Sequence, residues 1–302
     1  MKKKEKIAAV VVTYNRKDLL QECLSSLLKQ IRTLDLIIII DNASTDGTWE
    51  VLNKKYLKNP IFDYINLGKN TGGAGGFHYG IKRAYKKGYD WVWCMDDDTI
   101  PQKNSLMEFE KAINILEKNN INIGFLASNV FWVDKEICRL NRPALNRYSE
   151  DSYKYLEEGL VEVWSSSFVS MLVSKNAIKS RGLPISDYFI WGDDAEYSLR
   201  ISHEFKCYLV GKSKVIHKPK SNDTFSYKNI SKEQLWKYKY SIRNMTYTVR
   251  KLEDKRIKKI LFSSLLIRFI DMMKSNKYEF IPIIFFSFIK GLFFNPKVIR
   301  KL

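Results

Sequence analysis

In the first third of the chain, three runs of consecutive apolar residues each stop abruptly on polar side chains. Residues 7–12 end on Thr13-Tyr14-Asn15, residues 36–40 on Asp41-Asn42, and residues 91–95 on Asp96-Asp97-Asp98. Such short, largely β-branched runs are the pattern of strands buried on both faces. Between the first two, Leu19, Leu20, Cys23, Leu24, Leu27 and Leu28 recur at helical spacing, with Asp18 placed to cap that helix. Thr45-Asp46-Gly47-Thr48 reads as a turn into a short helix bearing Trp49, Val51 and Leu52, and Tyr64-Ile65-Asn66 as another short strand. Gly72, Gly73, Ala74, Gly75 and Gly76 form a glycine-rich bend that feeds a helix over about 77–87. Strand and helix in alternation predict an α/β fold, a mostly parallel sheet with helices on both faces. Ligands of such sheets gather beyond the carboxyl ends of the strands, which is where all these polar residues fall.

The rest of the chain is less regular. A helix is expected near 103–118, strand-like pieces near 122–132 and 160–173, a helix from about Asp193 carrying Tyr197, Leu199 and Ile201, and a strand over 206–217 that ends at His217. The expected division is a main region over 1–220, in two parts at 1–102 and 103–220, followed by a helical extension over 221–302. From Lys218 onward there are 20 Lys and Arg against 6 Asp and Glu, so most of the formal charge of +18 lies there. Residues 231–253, 256–272 and 280–294 look helical, and Pro282 suits the opening turn of the last. Arg268 and Lys290 interrupt the apolar stretches, which fall short of the roughly 18 uninterrupted apolar residues of a membrane span. They suit helices lying at an anionic membrane surface or packed on the main body. Nucleic acid is not an expected partner, because no recognised binding pattern is present and the acidic triplet would repel phosphate without a metal. A homo-oligomer is compatible with the sequence. The basic start runs directly into a short apolar segment that reads as a strand rather than a signal core. The four widely spaced cysteines read as free thiols in a reducing compartment.

Three carboxylates at the end of a buried strand are costly unless something compensates their charge. Carboxylates one residue apart can converge on one divalent ion, and hard oxygens suit Mg²⁺ or Mn²⁺. A metal held there could bridge the phosphates of a nucleotide diphosphate. Asp41 could accept from a base or a ribose, and Thr13 and Tyr14 could flank a base. The backbone of Asn70-Thr71-Gly72-Gly73-Ala74-Gly75-Gly76 offers close approach to sugar or phosphate, or tight packing of the following helix. It matches neither GxGxxG nor a GKS/GKT phosphate loop. His78 reads as structural and His203 as a surface residue, and nothing suggests a zinc site.

VVTYNRKDLLQECLSSLLKQ, IIIIDNASTDGT, NLGKNTGGAGGFHYGIKRA and DWVWCMDDDTIP together resemble the family 2 glycosyltransferases, inverting enzymes of the GT-A fold. The likeness covers 7 to about 217, densest over 7–102, and is nearest to the galactofuranosyltransferase and rhamnosyltransferase branch of bacterial surface polysaccharide synthesis; it implies a catalytic region over 1–220, nucleotide-binding at 1–102 and acceptor-side at 103–220. It implies Asp96 and Asp98 as ligands of Mn²⁺ or Mg²⁺ with His217 as a third, and Asp97 near the donor. Thr13, Tyr14, Asn15, Asp41, Asn70, Gly72, Gly73, Ala74 and Gly75 would border the nucleotide sugar. Phe189-Ile190-Trp191-Gly192-Asp193-Asp194-Ala195-Glu196 resembles the acceptor-side motif, with Asp194 as catalytic base and Trp191, Asp193 and Glu196 toward the acceptor. Tyr240-Ser241-Ile242-Arg243-Asn244 matches a Tyr-x-x-Arg-Asn pattern, in which Arg243 would touch a diphosphate or serve helix packing. The branch implies a UDP- or dTDP-linked donor, UDP-galactofuranose ahead of dTDP-rhamnose or a UDP-hexose. It also implies a polyprenyl-diphosphate-linked oligosaccharide acceptor, met on the inner face of the bacterial cell membrane by a peripheral cytoplasmic enzyme. A non-catalytic sugar-nucleotide-binding scaffold is the alternative of a different class.

Overall fold

The structure, a computed structural model, describes residues 4–222, 231–274 and 278–300, so the first three residues of the basic start lie outside it. The strands are β1 (Ile7–Thr13), β2 (Leu36–Asp41), β3 (Phe62–Asn66), β4 (Trp91–Asp96), β5 (Thr99–Pro101), β6 (Ile123–Phe131), β7 (Ala144–Leu145), β8 (Leu160–Ser165), β9 (Met171–Ser174) and β10 (Lys206–His217). They are ordered β3-β2-β1-β4-β9-β6-β10-β8-β7, with β5 paired to β10. The four strands from β3 to β4 run parallel, while β9 is antiparallel to both β4 and β6. The α/β sheet expected from the alternation is present, and all four parallel strands end at one edge.

Alternation along each strand explains the layering. Ile7, Ala9 and Val11 of β1, Ile37 and Ile39 of β2, and Trp91, Trp93 and Met95 of β4 join one core with α1 (Lys17–Leu28) and α4 (Ser105–Lys118). Ala8, Val10, Val12, Ile38, Ile40, Val92 and Cys94 point the other way. They pack with α3 (Gly72–Lys86), α5 (Lys175–Arg181) and α6 (Asp193–Ser202). Both faces are covered, which is why the strand sequences lack polar residues until their last positions. The four cysteines are buried and unbridged.

Two local expectations are corrected. Asp18 lies inside α1 and caps nothing; Asp46, in the turn before α2 (Thr48–Lys55), accepts from the Lys17 N–H at 3.0 Å instead. The glycine stretch is not a bend ahead of its helix but the first turn of α3 itself. A Cβ on Gly72, which has φ +72°, would stand 1.9 Å from the Phe189 carbonyl oxygen, and one on Gly76 2.4 Å from Val12. Close packing of α3 against β1 and the 189 loop therefore explains much of the glycine content. Gly73 alone of this group has open space where a side chain would be.

α7 (Leu235–Lys251), α8 (Lys255–Met273) and α9 (Ile281–Phe293) form the C-terminal helical extension, and Pro282 sits in the opening turn of α9 as expected. They share a small core of Leu235, Tyr238, Ile242, Leu265, Met272, Phe280 and Ile284, against which Trp191 packs. Gly291 lets α9 approach α7, since a Cβ there would lie 2.5 Å from Thr246 Cβ. The tail after α9 returns to the main body, where Phe294 and Val298 pack on Ala74, Ile185, Tyr188 and Tyr247. Among the described residues, no helix is long and apolar enough to cross a membrane.

Candidate active site

The acidic triplet leaves the sheet at the carboxyl end of β4, beside the ends of β1 and β2. Asp97 accepts from the Thr13 hydroxyl at 2.8 Å, and the Arg16 guanidinium reaches Asp98 Oδ2 at 2.6 Å and Asp97 Oδ1 at 3.4 Å. On the far side His217, the last residue of β10, brings Nε2 to 3.1 Å from Asp98 Oδ1. The antiparallel pairing of β5 with β10 sets His217 opposite Thr99, which is how residues so distant in sequence meet.

Asp96, Asp98 and His217 each offer a ligand atom, all within 4.8 Å of one another. Asp98 Oδ1 is buried and accepts no hydrogen bond of good geometry, although His217 stands next to it. His217 Nδ1 is tied to Asn141 Oδ1 at 2.8 Å, so Nε2 is the nitrogen presented to the carboxylates. An oriented imidazole, an orphaned carboxylate oxygen and a second acid facing one point fit a divalent cation. Burial, then the Asp98 charge, pushes Asp96 up to about 7. Burial also pushes Asp97 up to about 6 against the pull of Arg16. Burial would raise Asp98 too, but His217 and Arg16 outweigh it and hold that carboxyl below its ordinary range. Burial would lower His217, yet Asp98, Cys138 and Asp96 together raise it to about 10. These shifts share one cause: the pocket holds more negative charge than burial tolerates without cations.

Around this cluster the strand-end loops are stitched to one another. Asp41 accepts from the Tyr64 hydroxyl and the Ser44 N–H, both at 2.8 Å. Asn42 accepts from Thr71 and donates to the Gly72 carbonyl. Asn15 accepts from the Thr45 N–H at 2.7 Å, and Asn70 from the Gly72 N–H at 2.8 Å. Tyr14 stays exposed.

Across from them stands the second acidic motif. Asp193, Asp194 and Glu196 occupy the first turn of α6, where negative charge is favoured. Burial raises Asp193 well above the usual carboxylate range, helped by Asp194 and by Asp96 across the cleft. Burial pushes Asp194 up to about 6. Glu196 is tied to Arg200 by two hydrogen bonds of 2.8 and 2.9 Å, and so braces α6 from within. The backbone leading into the motif is strained. Phe189 has φ +64° and ψ −62° with the Ile190 N–H bonded to the Tyr188 carbonyl, a tight γ-turn, and Trp191 has φ +62°. Asn244, fully buried on α7, holds this loop by donating to the carbonyls of Tyr188, Ile190 and Trp191 at 3.0, 3.1 and 2.8 Å. Arg243 donates to the Asp187 carbonyl at 2.7 Å and lies over the rings of Tyr240 and Phe294. In this structure its guanidinium is therefore engaged in holding the same loop.

Sequence reasoning assigned no role to Arg16, Asn141 or Asn244. Arg16 directly follows the polar end of β1, and Asn244 sits in the Tyr-x-x-Arg-Asn match, so both carried a signal. Asn141 lies in an irregular segment with none. His78 donates its Nδ1–H to the Pro184 carbonyl, 2.7 Å away, a structural place beside the glycine turn.

Sheet and cluster together make a candidate divalent-cation site at the carboxyl edge of the parallel strands. The profile of glycosyl transferase family 2 matches residues 8–159, half of the chain, and the protein belongs to that family. Galactofuranosyltransferase GlfT1 of Mycobacterium tuberculosis is 29% identical over 201 residues, 65% of this chain and 64% of that protein. Its Mycolicibacterium smegmatis counterpart is 34% identical over 103 residues, 34% of this chain and 33% of that one. The chain thus matches between a third and just under two thirds of the length of these relatives. S. aureus TarS 1-349 in complex with UDP-GlcNAc superposes with a TM-score of 0.61 at 16% identity, covering 95% of this chain and 81% of that one. GalNAc-T7 with UDP, GalNAc and Mn²⁺ superposes with a TM-score of 0.62 at 15% identity, over 84% of this chain and 49% of that one. At these identities the likeness is one of fold.

Proposed function

We propose that the protein is a metal-dependent inverting glycosyltransferase that moves a sugar from a nucleotide diphosphate to an acceptor hydroxyl. One observation carries this reading: Asp96, Asp98 and an oriented His217 offer ligand atoms within 4.8 Å of one another, with the buried Asp98 Oδ1 accepting no hydrogen bond of good geometry. A divalent cation on Asp96, Asp98 and His217 would supply positive charge to the diphosphate as the glycosidic bond breaks. The single imidazole among the ligands favours Mn²⁺ over Mg²⁺, which prefers oxygen alone. Asp194 takes the proton of the attacking hydroxyl while its oxygen bonds to the anomeric carbon from the face opposite the leaving diphosphate, inverting the centre. Asp193 orients that hydroxyl, with Trp191 as a flat wall beside it and Glu196 steadying the helix beneath. Thr13, Tyr14, Asn15, Asp41, Asn70 and the α3 glycines Gly72, Gly73 and Gly75, with Ala74, border the donor, and Asp97 sits near its ribose or sugar. Arg243 acts by fixing the loop that carries the acceptor motif.

The relatives named galactofuranosyltransferase favour UDP-galactofuranose as the donor. A polyprenyl-diphosphate-linked oligosaccharide at the inner face of a bacterial membrane is the proposed acceptor. The surface meeting the membrane would be that of α8 and α9. Phe262, Leu266, Ile270 and Met273 form an exposed stripe on α8, and Phe285, Phe286 and Phe293 another on α9. Exposed Lys255, Arg256, Lys259, Lys274 and Lys290 flank them, suited to anionic headgroups. The test is nucleotide release from UDP-galactofuranose, dTDP-rhamnose and UDP-hexoses, with and without Mn²⁺. Mn²⁺-dependent release from one donor that ends in Asp98→Ala supports the reading. Nucleotide binding without turnover of any donor, with or without acceptor, would favour a silent scaffold.

A further inference from the structure

Lys237 lies in the first turn of α7, half-buried, with its ammonium 5.8 Å from the centre of the Trp191 ring and 5.6 Å from that of Trp236. Among the described residues no carboxylate pairs with it. The charges that face it are positive: burial first, then Arg16 and Lys220, pulls its pKa below the ordinary lysine value. Indole faces offset only part of what it costs to desolvate an ammonium, and neighbouring cations add to that cost. Trp191 precedes Asp193 by two residues, so this cation sits over the loop that leads into the acidic turn of α6.

Arg16, whose charge bears on Lys237, stands at the acidic triplet. It grips Asp98 and Asp97 through Nη1 while its side chain remains 48% exposed, and Nε and Nη2 carry further N–H donors. One cation thus comes from the loop after β1 and the other from the helix that clamps the acceptor loop. Two cations whose charges repel each other are relieved by an anion between them. Lysine, a compact charge with three rotatable donors, suits phosphate oxygens, as does the arginine fork.

We propose that Arg16 and Lys237 together receive the diphosphate of the nucleotide, at oxygens other than those facing Asp96, Asp98 and His217. The inference rests on the glycosyltransferase reading and adds to it a second source of charge for the leaving group. As the anomeric carbon–oxygen bond breaks, the electron pair remains on the diphosphate, and Lys237 faces that growing charge. Donor binding would then also tie α7, and with it the Asn244 clamp, to the β1 edge.

The test is ligand-observed NMR titration of the full chain with UDP, uridine and farnesyl diphosphate, each in EDTA and in a diamagnetic divalent cation (Mg²⁺). In Lys237→Met the UDP affinity should fall about tenfold or more, as expected for loss of one charge-assisted contact, with uridine affinity unchanged. Lys237→Arg should keep most of it, and the gap between wild type and Lys237→Met should narrow at high salt. Equal UDP affinity in wild type and Lys237→Met overturns the proposal. So does an equal loss for uridine, which would mean a damaged fold, or a loss confined to farnesyl diphosphate, which would assign the cations to a lipid acceptor. If the wild type binds neither UDP and uridine nor dTDP and thymidine, the nucleotide-sugar reading itself fails, and the proposal with it.

Discussion

The two walls of the cleft are built differently. On the wall formed by the ends of β1, β2 and β4, polar side chains meet partners from neighbouring strand ends, such as Thr13 with Asp97 or Asp41 with Tyr64. On the opposite wall the loop before α6 holds Phe189 and Trp191 in left-handed backbone and depends on Asn244, more than fifty residues later, to stay there. The first wall is assembled by the sheet itself. The second is held by hydrogen bonds from α7, so the C-terminal extension helps to shape the loop that carries the second acidic motif.

The largest expected effect breaks the first wall. Asp98→Ala removes the orphaned oxygen and the Arg16 anchor, and should cut donor turnover by roughly 10³-fold or more, since metal charge stabilisation is worth several kcal/mol. Donor hydrolysis with saturating Mn²⁺ checks it. Next, Asp194→Asn should lower transfer about 10²- to 10³-fold while UDP affinity stays unchanged, as removal of a base without loss of binding requires. A parallel drop in UDP affinity would move Asp194 to the donor side. The same residue sets a pH limit. Burial raises its carboxyl to about 6, and as the proposed base it would work only when ionised, so kcat/KM should climb about tenfold per pH unit below that value and level off above it. A profile flat to pH 5 would show that the base is another group.

Asn244→Ala sharpens the comparison. It leaves the carbonyls of Tyr188, Ile190 and Trp191 without their shared donor inside the core, at a cost of about 3 kcal/mol in unfolding free energy. Acceptor KM and kcat should suffer more than UDP binding, because the carbonyls it holds lie in the acceptor-motif loop, which meets the donor edge through Gly72 and Ala74. The smallest effect on the fold belongs to Phe286→Ser with Phe293→Ser. Both side chains are exposed, so stability should change by less than about 0.5 kcal/mol, yet binding to anionic vesicles should weaken several-fold. Unchanged vesicle binding together with loss of a dimer in solution would assign the stripe to a second copy of the chain.

The contrast between the walls also explains what the sequence made legible. The apolar runs of β1, β2 and β4 and the polar residues that end them report the sheet and the donor edge directly, because burial on both faces admits nothing else. The place of His217 could be suspected only from the end of its strand and the family likeness; its proximity to Asp98 depends on β5 pairing with β10. The glycines announced a close approach but not its partner, which proved to be the Phe189 carbonyl and Val12. Asn244 and Asn141 were illegible in their roles, since a buried amide that serves remote carbonyls or an imidazole leaves no periodic trace. Asp18 misled because an acid near a helix start resembles a cap, while the actual acceptor came from Asp46 in a later turn.

The most direct test of the central claim is UDP affinity measured with and without Mn²⁺ in the wild type and in Asp98→Ala. The account predicts that Mn²⁺ tightens UDP binding to the wild type by tenfold or more, on the order of one added charge-assisted contact, and has no effect on the variant. Wild-type affinity that is the same with Mn²⁺ as with EDTA would contradict it.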